Sequence, residues 1–131
     1  MVTRTGQYKL LRTLDGNTAF AWVEVSVDRK ARETPLVTAS LSLDCEMAWI
    51  DAAIIAVERC LTMLQARGVA DPGDRLVLER VVGSANDTTS DAVEAASVIA
   101  VAAAYGLRDD FVLSHDGRWR VDSTSLRERF A

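Results

Sequence analysis

The stretch VVGSANDTTSDAVEAASVIAVAAAYGL, Val81 to Leu107, decides the reading of this chain. It starts as a strand-like run, passes through a turn of small and polar residues, and ends as an alanine-rich segment. In that last segment Ala92, Ala95, Ala96, Ala100, Ala102, Ala103 and Ala104 surround Val93, Val98, Ile99 and Val101, and only Asp91, Glu94 and Ser97 are polar. A helix apolar almost all round is buried, and its small side chains let a neighbour approach closely. The spacing predicts a helix over about Ser90 to Tyr105, closed by Gly106.

Two readings compete for the turn Asn86-Asp87-Thr88-Thr89-Ser90. Thr88 and Asp91 fit the spacing of a capping box, in which hydroxyl and carboxylate satisfy orphan N–H groups of the first helical turn. The other reading is a binding site at a helix N-terminus; free N–H groups there favour an anion, which Asp87 and Asp91 oppose, leaving a protein or cation contact.

Outward from this stretch the periodicity is two on the N-terminal side. YKLLRTL and AFAWVEVSV flank Asp15-Gly16-Asn17, a hairpin signal. Ala21, Val23, Val25 and Val27 alternate with Trp22, Glu24, Ser26 and Asp28, so Phe20 and Trp22 project from the face opposite the core. Leu36 to Leu43 alternates likewise and reads as a strand of an antiparallel sheet with one open face. From about Glu46 to Arg67 the period becomes 3.6, with Ile50, Ile54, Val57, Leu61 and Leu64 on one stripe and Asp51, Glu58, Thr62 and Gln65 opposite. A strand over Arg75 to Val82 follows. FVLSH and RWRVD around Asp116-Gly117 read as a second hairpin, and STSLRERFA as a polar tail of one or two helical turns. The expected fold is α+β, a two-layer sandwich with a β-β-β-α-β-α core, an antiparallel or mixed sheet with two helices on one face and a C-terminal β-hairpin, in a single domain of residues 1–131.

Composition narrows the function classes. Apolar residues make up 49% and charged residues 26% of 131 residues, the balance of a globular chain. The net charge of −4 makes nucleic acid an unexpected partner for the surface as a whole, although a local basic patch stays open. Neither an apolar leader nor a run of about 18 apolar residues appears, so a cytoplasmic protein without a membrane span is expected. Cys45 and Cys60 lack CxxC spacing and read as small buried or half-buried thiols. His115 is the single histidine, at a hairpin turn, without the neighbours of a triad or a zinc site. Nucleotide-binding glycine motifs are missing, and no cofactor or metal is expected.

Three segments carry a family resemblance: Thr5-Gly6-Gln7-Tyr8, the helix start at Ala48-Trp49-Ile50, and Gly83-Ser84 followed by Asp87 and Thr89-Ser90-Asp91-Ala92. In order and content they resemble domain IV of translation elongation factor G, over about residues 5 to 105. The resemblance implies the two-layer β-β-β-α-β-α fold and a ribosome- or RNA-associated setting. The C-terminal hairpin lies outside it, and it transfers no functional residue.

The functional expectation is a non-catalytic binding or assembly module that forms homo-oligomers or meets a protein partner, with Phe20 and Trp22 as its aromatic face. The alternative is a small-molecule-binding protein or small enzyme with a pocket between sheet and helices, using Asp87, Thr88 and His115 with a tryptophan. Candidate binding residues are Phe20, Trp22, Asn86, Asp87, Thr88, Thr89, Ser90 and His115.

Overall fold

The computed structural model describes residues 4–28, 35–40, 45–123 and the backbone of 129–130. The chain runs β1 (Thr5–Leu14), β2 (Asn17–Asp28), β3 (Val37–Ala39), α1 (Met47–Ala66), β4 (Arg75–Val82), α2 (Ser90–Ala104), a 3-10 turn at Arg108–Asp110, β5 (Phe111–His115), β6 (Trp119–Ser123) and β7 (Arg129–Phe130). It is a two-layer α+β sandwich with a C-terminal hairpin, as the periodicities indicate.

Asp15 and Gly16 both take positive φ, 52° and 80°, so the two-residue loop has the backbone twist that continues into the paired strands. The register follows, with Leu14 opposite Asn17 and Thr5 opposite Ser26. One sheet has the order β1-β2-β4-β3. Pairing is antiparallel except between β3 and β4, which are parallel because α1 carries the chain across from one to the other. The sheet is therefore mixed, the second of the two arrangements expected; alternation alone does not distinguish a parallel from an antiparallel third strand. Its regular part is Val37–Ala39, and of the predicted span Leu41 to Leu43 lies outside the described residues.

Both helices lie on one face of this sheet, α2 against β1 and β2, α1 against β3 and β4, and each against the other. Ala21, Val23, Val25 and Val27 meet them from β2, and Leu76 and Leu78 from β4. Gly6 is required here: a Cβ at that position would lie 2.1 Å from the carbonyl oxygen of Ala100, so β1 reaches α2 backbone to backbone. The buried Ser97 hydroxyl donates to Val93 O at 2.7 Å, one turn back. At the far end of α2, Tyr105 donates its phenol proton to the buried Asp74 carboxylate at 2.7 Å.

The C-terminal hairpin does not extend the first sheet. It forms a second one, β5-β6-β7, that packs on α2 through Phe111, Trp119 and Val121. The apolar girth of α2 is thereby covered within the chain. The tail expected to be helical contributes strand pairing instead, Arg129 opposite Asp122 and Phe130 opposite Val121; residues 124–128 and 131 lie outside the described part. Cys60 is buried and Cys45 half-buried. Among the described residues, no helix is long and apolar enough to cross a membrane.

Candidate functional site

The turn between β4 and α2 is held from two sides. Thr88 Oγ1 accepts from Ser84 N at 2.7 Å and donates to Phe20 O at 2.6 Å, while Phe20 N donates to Asp87 O at 3.0 Å. Thr88 therefore ties the turn to β2 and does not cap the helix. The cap is Thr89, whose hydroxyl accepts from Ala92 N at 3.4 Å. The predicted capping box is off by one residue, because Thr88 has a better acceptor in the strand beside it.

Asp91, in the first turn of α2, uses its carboxylate on a different element. Its Oδ2 accepts from Trp119 N at 2.7 Å and so fastens β6 to the helix start. Burial alone would raise the Asp91 pKa. Hydrogen bonds from Thr89, from the backbone of Trp119 and from its own N–H, together with the charge of Arg118, outweigh burial and hold it below the usual carboxylate value. One turn on, Glu94 is pushed up, by burial first and by the Asp91 charge, against the pull of Arg118 and Arg59. Arg118 reaches Glu94 at 3.6 Å.

These tethers bring three distant segments around one cleft of about 410 Å³. The β1–β2 turn contributes Asp15, Asn17 and Thr18, the helix approach contributes Asn86, Asp87, Thr89 and Asp91, and the second hairpin contributes His115 and Trp119. That volume lies within the roughly 300–1,000 Å³ of small-molecule sites. Three carboxylates and one imidazole line it, with no lysine or arginine among the lining residues. His115 stands edge-to-face on Trp119, ring centroids 4.8 Å apart. Among the described residues, no group of three or more metal-ligating side chains is placed to hold one ion, so the carboxylates act as a lined wall rather than a point ligand set.

Of the residues singled out in the sequence, Asn86, Asp87, Thr89 and His115 meet in this cleft. Thr88 and Ser90 are not among its lining residues, and Phe20 and Trp22 belong to the opposite face of the sheet, both half-buried. Asp15, Asn17 and Thr18 escaped sequence reasoning. Their Asp-Gly-Asn pattern signals a hairpin, and nothing local shows that the hairpin tip folds against residues 68 positions away, the separation of the Phe20–Thr88 bond.

No protein-family description and no curated protein matches the chain. Among solved structures, one from Thermus thermophilus, under a designation that states no activity, is similar with a TM-score of 0.57 at 12% identity. The match covers 76% of this chain and 15% of that one, so the chain spans a small part of the other protein's length. The likeness is one of fold.

Proposed function

We propose that this domain is a non-catalytic binding module whose ligand site is the cleft between the β1–β2 turn, the start of α2 and the second hairpin. The observation that carries the reading is the convergence of Asp15, Asp87, Asp91 and His115 on one cleft lined by no lysine or arginine. Such a wall attracts a cation, and the amide and hydroxyl groups of Asn86, Asn17, Thr18 and Thr89 complete a site for an ammonium or guanidinium group with several N–H donors.

Calorimetric titration with spermidine and with N-acetylarginine amide tests the reading. Saturable binding weakened by Asp87→Asn and by added salt supports it; heats that are absent, or equal in wild type and variant, remove it. Specific kinship with elongation factor G domain IV belongs to this proposal as a statement about architecture and adds no residue to the site. Because α2 is covered, the surface left to homo-oligomer formation is the face of Phe20 and Trp22.

A further inference from the structure

Both helices cover one face of the β1-β2-β4-β3 sheet, and the other face carries no described helix. On that open face, Gln7, Lys9 and Leu11 of β1 lie opposite Glu24, Trp22 and Phe20 of β2, and Val82 and Arg80 of β4 lie opposite Trp22 and Glu24. The centre is a mosaic of rings and cations. Lys9 Nζ sits 5.8 Å from the Phe20 ring centroid and 5.4 Å from that of Trp22, and the Arg80 guanidinium lies 4.4 Å from the Trp22 ring. Arg80 also reaches Glu24 at 3.5 Å, and Trp22 Nε1 donates to Gln7 Oε1 at 3.0 Å. Lys9 makes no ion pair among the described residues.

We propose that this face binds single-stranded RNA, with bases stacking on Phe20 and Trp22 and phosphates paired by Lys9 and Arg80. Two aromatic rings two residues apart on a central strand, flanked by cations, provide the stacking platform and the counter-charge that single strands need. A base takes the place of Arg80 over the indole or stacks on the guanidinium plane itself. Glu24 and Gln7 border the rings with acceptor oxygens, to which a ribose 2′-hydroxyl donates and deoxyribose cannot.

A second copy of the chain fits the face less well. An interface core disfavours an unpaired lysine, whose ammonium would lose its water without gaining a partner. Three strands about 4.8 Å apart and about eight residues long give a face on the order of 400 Å², against roughly 800 Å² per partner in a stable complex. With the chain at −4 overall, attraction is local. Two paired phosphates give a slope of about −1.4 in log K against log salt, at roughly −0.7 per phosphate.

Fluorescence anisotropy of an end-labelled short oligouridine at low salt tests this, with circular dichroism confirming that each variant stays folded. Binding is expected, weakened about 5- to 150-fold by Trp22→Ala as one stacked base is lost. Lys9→Gln is expected to reduce the salt slope by about 0.7. Ile55→Ser, on the exposed side of α1, should leave the affinity unchanged. Absence of binding, unchanged affinity in folded Trp22→Ala, or equal affinity for the matching oligodeoxyuridine would overturn the proposal. So would a dimer in sedimentation that Trp22→Ala dissociates, which would give the face to a second copy.

Discussion

At the scale of single residues, the chain depends on a few atoms that permit or forbid close approach. A methyl group at Gly6 would collide with the backbone of α2, which cannot rotate away as a flexible side chain would. Gly6→Ala is expected to destabilise by about 1–3 kcal/mol or more, the usual cost of forcing extra volume into a packed core, read from chemical denaturation. Thr88→Val keeps the shape and removes both hydrogen bonds that tie the helix approach to β2. A loss of about 1–3 kcal/mol should follow, because Ser84 N and Phe20 O are left without that partner. Burial pushes the Cys60 thiol up to about 12. Native protein should therefore resist thiol reagents at Cys60, and unfolding should expose it to them. Since the Cys60 pKa is raised in the fold, its contribution to stability is complete below the unfolded thiol value and declines as pH rises toward 12.

At the scale of elements, the start of α2 is the junction of the molecule, holding β2 through Thr88 and β6 through Asp91. The Asp91 pKa is depressed by the fold, so its stabilisation is present above the unfolded carboxylate value and disappears as pH falls through the folded one. Glu94 has the opposite sign, its contribution being present in acid and lost as pH rises through its raised value. Asp91→Asn should flatten the acid limb of a thermal-melting pH profile, whereas Glu94→Gln should leave stability at neutral pH no lower than wild type. Much at this scale was legible in the sequence. The Asp-Gly turn marked the β1–β2 hairpin and alternation marked β2, while a change of period marked α1 and an almost wholly apolar run marked α2, both at nearly their observed ends. Parallel pairing of β3, strand pairing in the tail and the shift of the cap from Thr88 to Thr89 were not legible, because each is decided by a neighbour brought in from elsewhere in the chain.

At the scale of the whole molecule, two surfaces of different character lie on different parts of one core. The cleft joins residues 15–18, 86–91 and 115–119, so the sequence named its helix-side half through Asn86, Asp87 and Thr89, and His115 beside it, and missed the hairpin tip. The open sheet face was legible as soon as Phe20 and Trp22 fell out of phase with the buried valines. What local pattern does not contain is the placing of Lys9 and Arg80 over those rings, which depends on strand register.

The central claim is that the cleft binds a cationic group. Its most direct measurement is a two-dimensional amide NMR titration of the labelled protein with spermidine, repeated on Asp87→Asn. Saturating shifts confined to Asp15–Thr18, Asn86–Asp91 and His115–Trp119, and strongly weakened in the variant, are the result this account expects. Shifts scattered over the acidic surface without saturation, or a response that Asp87→Asn leaves intact, would contradict it.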